Sequence, residues 1–133
     1  MDELDQKIVN ALQKNARVAF LQLAKELNVS EGTIRNRVAR MQKKGVIRNF
    51  TVNLTTEASA FVEVVTDSRV PTSKISEEIK KLGIPQVYEL AGRVTIVCLI
   101  KTKGLSETND VVESIREIDG VSQTETFPVL KVV

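Results

Sequence analysis

Thr33, Asn36, Arg37, Arg40, Lys43 and Lys44 are the residues of this chain whose types and spacing could do chemistry together, and that chemistry is recognition of a polyanion. Taken as a helix at about 100° per residue with Thr33 at zero, Lys44 falls at about 20°, Arg37 at about 40°, Arg40 at about 340°, Asn36 at about 300° and Lys43 at about 280°. One arc of about 120° thus carries four cations and two hydrogen-bonding side chains, with no carboxylate from the same segment. A merely solvated helix face usually mixes charge signs, because helix-stabilising pairs need both. Here the one acid, Glu31, sits in the first turn, where the helix dipole favours it. Such a face suits a DNA groove, with cations for phosphates and amide or hydroxyl groups for base edges.

Other parts of the sequence must hold that arc outward. Ile34, Val38 and Met41 recur at i, i+4 and i+7 and form an apolar stripe at about 80° to 140°, beside the cationic arc. Ser30 is the expected N-cap, and Asn28-Val29-Ser30 separates this helix from a preceding run with Leu21, Leu23, Ala24 and Leu27 on one side. Two helices joined so tightly cross steeply, as in a helix-turn-helix. Asp2 to Asn15 is predicted as a first helix, with Leu4, Ile8, Ala11 and Leu12 on one face and Asp2, Glu3 and Asp5 at its N-terminal end. Gly45 stops the cationic helix, and Val46 to Val52 is predicted as a short strand or wing. Arg48 on that wing either reaches a phosphate or is simply solvated. The predicted DNA-binding set is therefore Ser30, Thr33, Asn36, Arg37, Arg40, Lys43, Lys44 and Arg48. That reading fails if these cations lie against the chain's own carboxylates, out of reach of a duplex.

Composition narrows the remaining classes. Histidine is absent, which removes His-based metal sites, catalytic triads and the usual neutral-pH general base. The single cysteine, Cys98, lies in an apolar run and reads as a buried thiol. No Walker loop, dinucleotide fingerprint, paired-cysteine motif or nucleophile elbow is present, so neither an enzyme, a metal centre nor a cofactor is expected. Apolar stretches such as Val94 to Ile100 are far shorter than a membrane span, and the start Met-Asp-Glu-Leu-Asp is not a targeting segment, so a soluble, cytoplasmic protein is expected. Charge divides unevenly: residues 1–53 hold ten Lys or Arg against five Asp or Glu, a net +5, whereas residues 54–133 hold nine against twelve, a net −3. That asymmetry fits a nucleic-acid-binding part joined to a part with another task.

The polar stretch near Asn53 to Ser59 divides the chain into a helix-turn-helix domain (1–53), a linker (54–59) and a second domain (60–133). In the second, Ala60 to Thr66 reads as a strand, Ser73 to Leu82 as a helix, Gln86 to Leu90 and Val94 to Lys101 as strands, Leu105 to Ile118 as a helix and Val121 to Val133 as a strand. Leu105, Val111, Val112, Ile115 and Ile118 are the apolar positions of the later helix. The order βαββαβ is the split βαβ arrangement, a ferredoxin-like antiparallel sheet with both helices on one face. Apolar residues of both parities in Val94 to Ile100 and Phe127 to Val133 leave a second sheet face in need of cover, and self-association supplies it. The fold class is α+β: a winged helix-turn-helix of three helices plus a short strand, then this ferredoxin-like domain.

With these elements in order, the chain resembles the Lrp/AsnC family, the leucine-responsive or feast/famine transcription regulators of bacteria and archaea. The resemblance rests on Leu4-Asp5-Gln-Lys-Ile8, Leu23-Ala24 with Leu27-Asn-Val-Ser30, Ile34 with Arg37-Val38, Lys44-Gly45-Val46-Ile47, Leu90-Ala-Gly92, and Asp119-Gly120-Val121 with Thr124 and Thr126. It implies a RAM-type effector-binding and oligomerisation domain that dimerises and often assembles into octamers, with an amino acid bound between such domains near the loop after the second strand. On this chain that points to Ala91, Gly92, Arg93, Val94 and Thr95, with Thr124 and Thr126 as neighbours. The family's loop usually carries acidic residues after its glycine, whereas here Arg93-Val94-Thr95 follows, and Arg93 is either a bidentate partner for a ligand carboxylate or an exposed turn residue. This chain is also shorter than typical members around Thr51 to Ala60.

The expected function is sequence-specific transcription regulation of amino-acid metabolism genes in response to such an effector. A homodimer would place two copies of the cationic helix in successive major grooves of a pseudo-palindromic duplex, with half-sites about one helical turn apart. Two other classes remain open on sequence: an architectural DNA-compacting protein without effector, and a small ferredoxin-like hydrolase, the latter on a three-residue likeness of Gly92-Arg93-Val94 to a phosphate loop.

Overall fold

Asp2 and Asp5 start the first helix by capping each other. Each side chain accepts the other's backbone N–H, a capping box that satisfies two orphan donors of α1 (Glu3–Lys14). The structure is a computed structural model that describes residues 1–54 and 58–133, so the middle of the predicted linker, residues 55–57, lies outside the described residues. α1 buries Ile8 and Leu12, and α2 (Phe20–Leu27) buries Leu23 and Ala24. Leu21, predicted inward, is 53% exposed, because it lies about 200° back from Leu23 on the wheel. α2 ends where Asn28 turns left-handed at φ 56°, a C-terminal cap that a short amide side chain tolerates.

α3 (Glu31–Lys43) starts on the predicted cap: the Ser30 hydroxyl accepts the Thr33 N–H at 3.1 Å. Its stripe of Ile34, Val38 and Met41 closes a core with Ile8, Leu12, Leu23 and Ala24. Gly45, at φ 75°, ends the helix, and the N–H groups of Val46 and Ile47 both turn back onto the Met41 carbonyl. This closure replaces the predicted wing. Residues 46–52 form no strand, because the helical unit contains no second extended segment to pair with, and only Ile47 of the stretch packs onto the helices.

The second unit runs β1 (Ala58–Thr66), α4 (Thr72–Lys81), β2 (Gln86–Glu89), β3 (Ile96–Thr102), α5 (Leu105–Arg116) and β4 (Val121–Pro128). The sheet order is β2-β3-β1-β4 with every pair antiparallel, as the split βαβ reading requires. Register puts Val62 beside Cys98 and Thr126, and Val64 beside Ile96 and Thr124. That parity faces the helices, where Val62, Val64, Ile96, Cys98 and Ile100 pack with Ile75, Ile79, Val112 and Ile115. The other parity carries Phe61, Tyr88, Leu99 and Phe127 on a face that, among the described residues, no element of this unit covers.

Several bounds differ from expectation. β1 begins at Ala58, within the predicted linker, and β3 begins at Ile96 rather than Val94, although the Thr95 N–H still reaches the Val64 carbonyl and the Thr95 carbonyl still accepts the Leu90 N–H. β4 stops at Pro128 rather than running to Val133: proline lacks a ladder donor, and past it only the Val129 N–H still reaches β1, at the Ser59 carbonyl. Leu105, one of the apolar positions, is 67% exposed at the start of α5, and Thr108 takes a buried place, its hydroxyl paired with that of Thr102 at 2.7 Å.

The chain divides into two compact units, Met1–Asn53 and Leu54–Val133. Among the described residues no helix is long and apolar enough to cross a membrane.

Candidate nucleic-acid interface

Burial of the Ile34, Val38 and Met41 stripe fixes which way α3 faces. Its centre at about 110° puts the most exposed direction at about 290°, nearest to Asn36 and Lys43. Gly32, Arg35, Asn36, Ala39, Arg40, Gln42 and Lys43 are all exposed there. The free face therefore extends further from Thr33 than the sequence arc did. Arg35 and Gln42, at about 200° and 180°, were missed, because they lie on the far flank of the stripe, no nearer to its opposite than to the stripe itself. Arg35 is paired with Glu31 one turn back.

At the other edge of the arc, α1 supplies the carboxylates that the α3 segment lacks, the arrangement named above as the one to exclude, although the cations keep part of their surface in solvent. α1 brings Asp2 and Asp5 against α3: the Arg37 Nη1 donates to both, at 3.2 Å to Asp5, and the Arg40 Nη2 donates to Asp5 at 3.1 Å. Arg37 keeps 27% of its side chain exposed and Arg40 47%, whereas Asp5 is buried. Ser30 and Thr33 are similarly engaged, their hydroxyls 2.8 Å apart. Lys43, Lys44 and Arg48 are exposed and have no carboxylate partner among the described residues. Lys44 caps the helix and Arg48 lies on irregular chain, not on a strand.

These contacts set the electrostatics. The Asp5 N–H, and then the Arg37 guanidinium, hold the Asp2 carboxyl at about 2 against an ordinary 3.8. Burial works to raise Asp5, but hydrogen bonds from the Asp2 N–H and Arg37 outweigh it and leave the carboxyl below its usual range. Asp2 and then Asp5 push Arg37 further up. The network holds both acids as carboxylates and Arg37 as a cation.

In the second unit the loop between β2 and β3 brings only part of the predicted effector set together. Arg93, Val94 and Thr124 line a crevice with Glu63, Val65, Gln123 and Glu125, of about 10 Å³. That is space for about one water molecule, not an amino acid. Thr95 is held by Thr66, hydroxyl to hydroxyl at 2.8 Å, and the Arg116 Nε donates to the Thr124 hydroxyl at 2.9 Å. Ala91 and Gly92 do not line the crevice, and Thr126 lies on the helix-covered face opposite Val62. Glu63 and Glu125, directly opposed across β1 and β4, place near this crevice the carboxylates that the loop itself lacks.

A basic three-helix unit with an outward cationic helix precedes a βαββαβ unit, and the family models that match them define a DNA-binding transcription regulator with a ligand-binding domain rather than an enzyme. Residues 1–42 match the AsnC-type helix-turn-helix domain and residues 59–133 the Lrp/AsnC ligand binding domain, so the chain belongs to the Lrp/AsnC family. It is 38% identical to the HTH-type transcriptional regulator LysM of Sulfurisphaera tokodaii, over 99% of this chain and 96% of that protein. The LysM regulator of Saccharolobus solfataricus is 37% identical over 98% and 94%. Among solved structures, PH0061 superposes with a TM-score of 0.85 at 25% identity, covering 100% of this chain and 95% of that one. E. coli AsnC does so with a TM-score of 0.67 at 27% identity, covering 99% and 93%.

Proposed function

We propose that the protein regulates transcription by setting α3 of each protomer of a homodimer into the major groove of a pseudo-palindromic operator, under control of an amino-acid effector. The observation that carries this reading is the exposed face of α3, which lies opposite its buried stripe and bears Asn36, Arg40 and Lys43 with Arg35 beside them. Asn36 and Arg40 are suited to base edges, the first to adenine and the second to guanine, while Lys43, Lys44 and Arg48 meet phosphates. Arg37, held by two carboxylates, contributes through its remaining N–H groups, and Ser30 and Thr33 shape the helix start beside the duplex.

The effector reading places an amino acid near Ala91 to Thr95, Thr124 and Thr126. It is supported by the family's ligand-binding domain and by the proximity of Arg93 to Glu63 and Glu125, groups of opposite sign suited to a zwitterion. One protomer's crevice is too small to enclose such a ligand, so the site needs a second subunit. The uncovered sheet face with Phe61, Tyr88 and Phe127 supports the dimer, and the octamer implied by the family would follow from further association. Regulation of amino-acid metabolism genes is the physiological form of this proposal.

Selection of bound duplexes from a random pool tests it. A two-fold symmetric motif with half-sites about one turn apart is expected. Arg40→Ala and Lys43→Ala should each weaken binding, and Lys43→Ala should lower the salt slope of log K by about 1 per helix. An unenriched pool would indicate architectural compaction instead. Titrating the twenty amino acids while following sedimentation tests the effector, and no response to any of them would remove it.

A further inference from the structure

The buried carboxylate of Asp5 is the one acid of the helical unit that two cations of α3 share. It is 3% exposed and accepts from the Asp2 N–H, from Arg37 at 3.2 Å and from Arg40 at 3.1 Å. Arg37 and Arg40 are three apart on the helix, so their side chains leave the same surface and one acid between them can hold both. A carboxylate this buried is stable only while its partners stay in place. Conversely, the guanidiniums are restrained by an atom that cannot itself move into solvent.

Each arginine offers five N–H donors in a rigid planar fork, and Asp5 engages only one terminal nitrogen of each. Arg37 also donates to Asp2, and the two side chains keep 27% and 47% of their surface exposed, which leaves the other donors of the forks without a carboxylate partner among the described residues. Lys43 and Lys44 have no such restraint among the described residues and would be ordered only on meeting DNA. Readout of a base edge needs a fork in fixed orientation, whereas attraction to phosphate needs only charge.

We propose that Asp5 is a positioning residue for sequence readout: held in the body of the helical unit, it orients Arg37 and Arg40 before DNA arrives, so its contribution falls on discrimination between sequences rather than on general affinity for duplex. This rests on the reading that α3 meets DNA.

The test uses the full chain, a selected operator and a duplex of unrelated sequence. With Asp5→Asn, folded by circular dichroism at the assay temperature, the ratio of operator to unrelated binding should fall about tenfold, the discrimination that one well-oriented arginine–guanine pair supplies. Binding to unrelated duplex should change less than about twofold, since the bases carry no part of it. A merely structural role would lower both equally, and a masking role would raise both; either result overturns the proposal, as does an unchanged ratio. Arg40→Ala separates the two levels. If Arg40→Ala leaves operator binding intact, the interface reading and this proposal fall together. If Arg40→Ala weakens binding while Asp5→Asn keeps the ratio, only the proposal falls. Should Asp5→Asn not fold, nitrogen NMR of arginine side chains in the unaltered free protein decides. Slow guanidinium rotation with separate Nη signals is expected for Arg37 and Arg40, and averaged signals would overturn the proposal.

Discussion

Asp2 and Asp5 illustrate how much two small side chains can be asked to do. Each caps α1, and each also anchors a cation of α3, so helix initiation and helix–helix attachment share the same atoms. Both acids have folded pKa values below their ordinary ones, so the stability they supply is fully present above about pH 4 and is lost as the pH falls toward about 2, where Asp2 takes up its proton. Acid titration of the protein, followed by the helical circular-dichroism signal, should show this loss in that window. Asp2→Asn should flatten it, while leaving stability at neutral pH lower than in the unaltered chain. A profile identical for the two proteins would show that the pair contributes nothing to the attachment. The arc of cations on α3 was readable from spacing alone. The carboxylates that reach it were not, because the period of one helix says nothing about which residues of another helix, more than thirty positions away, are packed beside it.

Helices were the elements most legible in the sequence, since caps such as Ser30 and stops such as Gly45 accompany a 3.6-residue period that spans several turns. Strand limits were less so. The β-branched run from Val46 to Val52 has strand composition, but a strand exists only where a partner offers a ladder, and composition does not reveal partners. Gly120, between α5 and β4, is a place where the backbone admits no side chain. Its φ is 97°, and an added Cβ would stand 2.8 Å from both Ile75 Cδ1 and Val70 Cβ, while its carbonyl accepts the Asp67 N–H at 2.7 Å. Left-handed strain and overpacking together should make Gly120→Ala cost about 2 to 4 kcal/mol. The check is urea unfolding monitored on the second unit, with the midpoint lowered and the slope unchanged. A midpoint shift too small to measure would mean that the α5–β4 turn relaxes freely.

For the molecule as a whole, uneven charge and the two kinds of periodicity in the sequence already marked two units, and the folded chain divides after Asn53. The open sheet face was legible as apolar residues of both parities, while its extent depended on register, which only the paired strands define. Phe61 lies on that face beside Leu99 and Phe127 and is 47% exposed. Phe61→Asp should therefore reduce association, seen as a smaller sedimentation coefficient at equal concentration with circular dichroism retained; an unaltered coefficient would place the subunit interface elsewhere. The pairing of β1 with β4 has one more effect, on the order in which the protein is made. The helical unit can assemble from the first 53 residues to leave the ribosome, whereas β1 emerges early and must wait until residues 121–128 are synthesised before its outer edge is paired. During that interval the nascent chain carries an unzipped β-strand whose partner has yet to be made.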